Sequence, residues 1–178
     1  MKLSTIKKIS VFGLFGMSFL THFIYNIFSN PLFAIFFPVN ESIWEHMKLL
    51  STTILLYGII EYFLLKHYNI KVNNFLFSLF IMSVISIPIY LIIFLPFYYK
   101  GINSMFFYLL VMFITYIICC CISYYILKFK EIKYQNIISI IFIIIIYIIF
   151  GYLTYNPLKN DMFFDTEEAK YGINEYIL

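Results

Sequence analysis

The sequence contains no arginine, because all twelve of its basic residues are lysines. Bidentate guanidinium contacts to phosphates and base edges are therefore lacking, which argues against a nucleic-acid partner. Charged residues make up only 12% of the chain, whereas soluble domains carry about 25%. So little charge cannot cover a water-facing surface or keep a chain unfolded in water. We therefore exclude a soluble globular protein and a disordered one.

Cysteine is also scarce, with three residues that are consecutive at 119–121. Neighbouring cysteines do not readily bridge one another, so we interpret them as packing residues. Long apolar runs, by contrast, dominate a chain that is 63% hydrophobic. Runs of this length form membrane-spanning helices, because lipid leaves the backbone no partner outside the helix. We predict an all-α polytopic membrane protein, a single domain 1–178 with five spans at about 9–28, 49–65, 75–99, 105–127 and 137–155.

The distribution of lysine predicts how these spans are oriented. Cytoplasmic loops of membrane proteins carry an excess of positive charge. With the N-terminus inside, eight lysines lie on the inner side and four on the outer side. An odd number of spans then places the C-terminus outside, with an acidic tail at 156–178. We expect a multi-pass protein of the bacterial cytoplasmic membrane.

The connection at 29–47 differs from the other connections, which are short and polar. Its first half, 30–38, is apolar but too short to cross, so it should lie in the outer interface or enter it as a re-entrant segment. In its second half Asn40 is a suitable N-cap, and we predict that the second helix begins at Glu41. Trp44 then falls where an interfacial aromatic residue belongs.

Polar side chains gather around this connection. His22 and Asn26 lie one turn apart near the outer end of the first span, and Glu41 and Glu45 lie one turn apart on the predicted second helix. Adjacent antiparallel helices would bring these side chains into one zone beside His46. The candidate polar site therefore comprises His22, Asn26, Asn40, Glu41, Trp44, Glu45, His46 and Lys48.

Three interpretations of this zone remain open. The charges are the solvated start of a helix with a Glu45–Lys48 pair, or they form a ligand or proton site without metal. Alternatively, two imidazoles and two carboxylates bind a divalent metal ion, the cofactor this sequence could hold. The candidate metal ligands are His22, Glu41, Glu45 and His46.

Glu61 is the acid that lies within an apolar span. An ionisable group at that depth costs free energy unless it is paired or hydrated. We expect it to pair with Lys66, with His67 or with a tyrosine of another span. It is either a boundary residue near water or a group that handles protons.

The tail after the fifth span contains residues that are typical of helix ends. Asp165 and Glu168 match a capping box and Gly172 matches a helix stop, so we predict one short helix between them. Apolar residues such as Tyr171 would let the tail fold back onto the membrane face. We predict a lid over the polar site that includes Asp165, Tyr171 and Gly172. The alternative is a solvated amphipathic tail.

The ten residues 40–49 read Asn-Glu-Ser-Ile-Trp-Glu-His-Met-Lys-Leu. With this block the sequence resembles a family of small multi-pass bacterial membrane proteins of unknown function, in which Asn-Glu-Ser-x-Trp-Glu-His-x-Lys-Leu recurs. Residues 37–39, His22 and the Tyr-Gly-Ile at 171–173 are also similar. The tail departs from the family at 165–168, where a turn like Asp-Pro-x-Thr-Gly is replaced by Asp-Thr-Glu-Glu. The resemblance implies the topology and the importance of the block, and it implies no activity.

Three classes of function fit these observations. The first is a non-enzymatic binding, accessory or assembly factor, whose partners are the lipid bilayer and either another membrane protein or a lipid or small-molecule ligand. The second is a membrane-embedded enzyme acting on a lipid or peptide through Glu45, His46 and His22. The third is a small proton-coupled transporter that uses Glu61, which the absence of a visible inverted repeat disfavours. The first is favoured because no recognised catalytic motif is present.

Overall fold

The structure is a computed structural model that describes residues 1–102, 104–173 and the backbone of 175–176. Residue 103, in the third polar connection, and the predicted tail residues 174, 177 and 178 lie outside the described residues, as does the side chain of Glu175. The helices are α1 (Leu3–Ile27), α2 (Pro31–Phe36), α3 (Ile43–His67), α4 (Phe75–Tyr98), α5 (Met105–Lys128) and α6 (Gln135–Tyr155). The strands are β1 (Phe164–Asp165), β2 (Lys170–Tyr171) and β3 (Glu175–Tyr176).

All helices except α2 are long and apolar enough to cross a membrane. Their lengths of 21 to 25 residues correspond to roughly 30–38 Å at 1.5 Å per residue. The outward face of α6 is almost entirely isoleucine. Water would not tolerate such a surface, whereas lipid would. The fold is therefore all-helical in its body and compatible with the predicted multi-pass architecture.

Successive long helices run antiparallel, as contacts between their ends show. Lys7 near the start of α1 meets Glu61 near the end of α3, and Asn74 before α4 bonds the backbone of Ile126 near the end of α5. One end of the bundle, here named the lysine-rich end, therefore contains the starts of α1, α4 and α6 and the ends of α3 and α5. The opposite end contains α2 and the β-strands, and we name it the tail end.

The core lies where α1, α3, α4 and α5 meet, and α6 packs outside it against α4 and α2. Large side chains such as Leu14, Ile54, Met82 and Tyr116 are fully buried there. Hydroxyl groups also link the helices, since Tyr116 bonds Ser18 at 2.7 Å. In lipid such bonds hold helices together, because the hydrophobic effect does not drive their association.

The short helix α2 lies inside the predicted interfacial connection. Asn30 caps it by accepting from the backbone of Leu32 and Phe33, and Pro31 occupies its first turn, where no backbone N–H is needed. It packs against α6, α1 and α3. A two-turn segment therefore covers the tail end without crossing the bundle.

The start of α3 differs from the prediction. The helix begins at Ile43, and its N-cap is Ser42, whose Oγ accepts from the backbone of Glu45 at 3.3 Å. Asn40, the predicted cap, instead accepts from the backbone of Ser42 and forms a turn before the helix. Both residues are good cap formers, so sequence alone does not separate them. Glu41 consequently lies ahead of the helix and not in its first turn.

The tail forms a small antiparallel sheet in the order β1–β2–β3, and the predicted short helix is wrong. Asp165 accepts from the backbone of Glu167 and Glu168, so its side chain closes the turn between β1 and β2. An aspartate side chain that accepts from nearby backbone N–H groups can cap a helix or close a turn. The sequence pattern at 165–168 therefore fits both, and the helix was predicted where a turn forms. Gly172 has φ +55°, and a Cβ there would lie 2.5 Å from the carbonyl oxygen of Thr154. Glycine is therefore required where the tail meets α6.

Candidate metal centre

Three side chains from three parts of the chain meet at the tail end. The Nε2 atom of His22 in α1 lies 3.4 Å from Oε2 of Glu41. The Nε2 atom of His46, in the first turn of α3, lies 3.5 Å from the same oxygen. One ligand atom from each residue falls within 4.8 Å of the others. The predicted convergence of His22, Glu41 and His46 is therefore present in the structure.

The ring orientation of His46 is fixed from its other nitrogen. Its Nδ1 atom lies 2.9 Å from the carbonyl oxygen of Ser42, which can only accept, so Nδ1 carries the proton. In a neutral ring Nε2 is then a lone pair, and it faces the carboxylate of Glu41. Two acceptors at this distance repel each other unless a proton or a metal ion lies between them. Histidines that bind metals commonly donate their second nitrogen to a carbonyl in this way.

Two of the three distances between the candidate ligand atoms agree with the geometry of zinc coordination. Two ligands about 2.0–2.1 Å from a tetrahedral zinc ion lie roughly 3.3 Å from each other. The two imidazole-to-carboxylate distances, 3.4 and 3.5 Å, are close to that value. Two histidines and one glutamate form a ligand set known in catalytic zinc sites, with the fourth position open. The side chains of His22, Glu41 and His46 keep 22%, 39% and 31% of their surface exposed, so an ion can reach them.

Glu41 is held as a carboxylate by its surroundings. The hydrogen bond from His22 lowers its pKa most, partial burial opposes this, and the nearby His46 lowers it further. Its deprotonated form is therefore favoured in the folded protein, and the stability that this provides is lost as the pH falls through the lowered pKa. A deprotonated carboxylate is also the form that binds a metal.

The backbone of Glu41 is fixed by the tail. Its N–H donates to Oδ2 of the buried Asp165 at 3.1 Å, and the side chain of the preceding Asn40 donates to the carbonyl of Gly172 at 2.9 Å. Trp44 stacks on Phe163 with ring centroids 4.8 Å apart. The tail thus contacts the 40–49 block directly and holds the loop that carries Glu41.

The described part of the tail, up to residue 173, does not close over the three candidate ligands, which are partly exposed. Among the three predicted lid residues, Asp165 and Gly172 contact the block. Tyr171 instead packs against Phe164, with ring centroids 5.1 Å apart. Movement of the tail as a lid stays a prediction.

Other members of the predicted polar site lie elsewhere. Asn26 is exposed and does not belong to the three-residue group. Glu45 and Lys48 point away from the histidines, toward α2 and α6, where they form a buried ion pair at 2.5 Å. The three-residue group therefore does not include Glu45, a predicted metal ligand, or Lys48, a predicted member of the polar site. The reason is that neighbouring residues in a helix point about 100° apart.

The pair of Glu45 and Lys48 organises the tail end. The Lys48 amine donates to the carbonyl of Ala34 in α2 at 2.7 Å and to Thr154 in α6 at 2.8 Å. The Glu45 carboxylate accepts from Thr154 and from the backbone of Val39. One ion pair thus joins α2, α3 and α6. The predicted pairing of these two residues is confirmed, but in a buried site and not in water.

Glu61 also has a partner that the sequence did not indicate. Its Oε1 pairs with the amine of Lys7 in α1 at 2.5 Å, and its Oε2 accepts from Ser10 at 2.8 Å. The expected partners Lys66 and His67 are exposed on the outside of the bundle. Lys7 is 54 positions away from Glu61, so no local pattern could have identified the pair.

The helices and the three-residue cluster together describe the kind of protein this is. It is an up-and-down bundle whose five long helices could each cross a membrane, with a two-histidine, one-glutamate cluster at one end. The chain belongs to the family of unknown function DUF6512, whose family model matches residues 2–173. No curated protein and no solved structure matches the chain. The expected membership of a family without known function is thereby confirmed.

Proposed function

We propose that this protein is a multi-pass membrane protein that binds a divalent transition metal ion, with zinc as the best fit, through His22, Glu41 and His46. The observation that carries the proposal is the geometry of His46, whose Nδ1 is engaged by the carbonyl of Ser42 while its Nε2 faces the Glu41 carboxylate at 3.5 Å. A cation held between these groups removes the repulsion and satisfies both. The set of two nitrogens and one oxygen suits zinc better than calcium or magnesium, which prefer oxygen ligands alone.

Binding, and not catalysis, is the favoured role for this site. An enzyme of the kind outlined from the sequence would use Glu45 or His46 as a general base. Glu45 is buried in its pair with Lys48, and His46 is one of the three proposed metal ligands. Within the described residues, Asp165 is the next carboxylate to contact the site, and its oxygens already accept from backbone groups. We therefore propose a binding, accessory or assembly factor whose metal has one open position for a ligand.

The distribution of the lysines supports a side of the membrane for the proposed metal site. Eight of the twelve belong to the lysine-rich end, and the positive-inside rule places that end in the cytoplasm. The metal site would then face the outer surface of a cytoplasmic membrane, and the resemblance of the 40–49 block favours a bacterial one. In intact cells an impermeant maleimide should label Asn160→Cys and leave Lys130→Cys unlabelled until lysis. The reverse pattern would overturn this orientation.

Zinc binding is tested on the purified protein in detergent micelles. We expect one zinc ion per chain by titration calorimetry. In His22→Ala, Glu41→Gln or His46→Ala we expect an affinity lower by about 10²-fold or more, because each variant removes one of three ligands. Affinity should fall as the pH is lowered, since protons compete with the metal for its imidazole ligands.

His67→Ala is the matched control, because it removes the remaining histidine of the chain at the lysine-rich end, where it is exposed. It should bind zinc like the unaltered protein. Asp165→Asn should weaken zinc binding less than the ligand variants, since Asp165 is not itself a candidate ligand and acts through the position of Glu41. If His22→Ala and His46→Ala fold and bind zinc with the same affinity as His67→Ala, the proposal of a metal site is wrong. The cluster would then be a ligand or proton site without metal, or only the solvated start of the helix.

A further inference from the structure

A groove of about 530 Å³ runs between α1 and α5 toward the lysine-rich end, remote from the candidate metal centre. The part of the groove nearer the middle of the bundle is apolar and is formed by Val11, Phe12, Phe113 and Ile117. The rings of Phe12 and Phe113 lie 5.6 Å apart there and connect the two helices. From Ser4 to Phe12 the groove extends about 12 Å along α1, at 1.5 Å per residue.

The other end of the groove is polar and positively charged. Ser4 and Lys8 line it from α1, and Tyr124 and Tyr125 line it from the last turns of α5. Lys128 lies beside it, with its amine 3.3 Å from the hydroxyl of Tyr124. The groove therefore changes along its length from an apolar slot to a cluster of cations and hydroxyl groups.

Two lysines line this groove, and they differ in whether an acid neutralises their charge. The amine of Lys7 is neutralised by Glu61. Lys8 is exposed, and its amine has no ion pair within residues 1–102 and 104–173. A ligand at this end would therefore meet an uncompensated positive charge.

We propose that this groove binds an anionic phospholipid, with one acyl chain in the apolar slot and the phosphate at Lys8 and the neighbouring hydroxyl groups. The charge at the groove selects a negative head group, and the slot selects a hydrocarbon chain. Basic pockets between membrane helices on the cytoplasmic side are known to hold such head groups. The proposal is independent of zinc binding and shares with it only the membrane location.

Cys121 provides a reporter, because it is exposed and lines the groove, whereas Cys119 and Cys120 are buried. The experiment measures the rate at which N-ethylmaleimide alkylates the protein in detergent micelles, with phosphatidylglycerol or phosphatidylcholine of identical chains added. At about ten times its Kd, phosphatidylglycerol should slow the reaction about tenfold by mass action. Phosphatidylcholine should have little effect. Cys121→Ser gives the background rate.

Lys8→Gln should remove the protection by phosphatidylglycerol, and Lys133→Gln should retain it. Lys133 is the matched control, since it is an exposed lysine at the same end that does not line the groove. Equal protection by both lipids, no protection by either, or full protection in Lys8→Gln would each overturn the proposal. The rate of each variant in phosphatidylcholine is also compared with that of the unaltered protein, because a general loss of structure would raise it.

Discussion

Glu61→Gln should destabilise the protein by about 3–5 kcal/mol, because it removes one partner of a buried ion pair and leaves the other charged. Lys7 and Glu61 are only 5% and 1% exposed, so water cannot replace the lost carboxylate. The free energy of unfolding in mixed micelles, followed by circular dichroism, measures the effect. Glu131→Gln is the control. It removes an exposed acid at the same end and should change stability little.

The double variant Lys7→Met/Glu61→Met should recover most of the lost stability. Removing both charges leaves no unpaired ion, and apolar residues of similar volume often replace a buried pair without cost. Ser10, which also bonds Glu61, keeps its second partner, the carbonyl of Ile6 at 3.0 Å. If Glu61→Gln is as stable as Glu131→Gln, the pair is not buried as described. If the double variant is no better than the single one, the two residues act separately.

The same variants examine the transport hypothesis, which stays a prediction. Both oxygens of Glu61 are engaged, one by Lys7 and one by Ser10. A proton carrier would have to break these contacts in each cycle. A folded Lys7→Met/Glu61→Met protein that still supports the same proton flux in proteoliposomes would exclude Glu61 from that role.

The helices were predictable from the sequence because their cause is local. An apolar run of about 20 residues forms a helix in lipid whatever its neighbours are. The meeting of His22 and His46 was also predictable, since consecutive spans cross in opposite directions and both residues lie near the connection that joins them. Both inferences use only length and order along the chain.

The direction in which α3 presents its charges was not predictable. The helix is buried on most sides, so apolar residues surround its axis and no periodicity marks one face. Glu41 and Glu45 therefore look equivalent in the sequence. Helix α3 begins two residues later than expected. Glu41 therefore lies ahead of the helix, beside the histidines, whereas Glu45 lies within the helix and pairs with Lys48. Tertiary packing, not local pattern, decides between them.

Lys48→Met should have the second large effect, a loss of about 3–5 kcal/mol, because it leaves the Glu45 carboxylate buried without its cation. The fluorescence of Trp44, the single tryptophan, reports on this region because its ring packs against Phe163 and Phe150. Lys66→Met is the control, since Lys66 is an exposed lysine at the other end of α3. It should leave the unfolding transition unchanged.

The two buried pairs should respond differently when both charges are removed. Glu45 and Lys48 also satisfy backbone groups, the N–H of Val39 and the carbonyl of Ala34. In Glu45→Met/Lys48→Met these groups lose their partners, and a buried unsatisfied polar group costs about 1–3 kcal/mol. The double variant should therefore remain destabilised, unlike Lys7→Met/Glu61→Met. Full recovery would mean that α2 docks without the Lys48 bond, and that the ion pair does not organise the tail end.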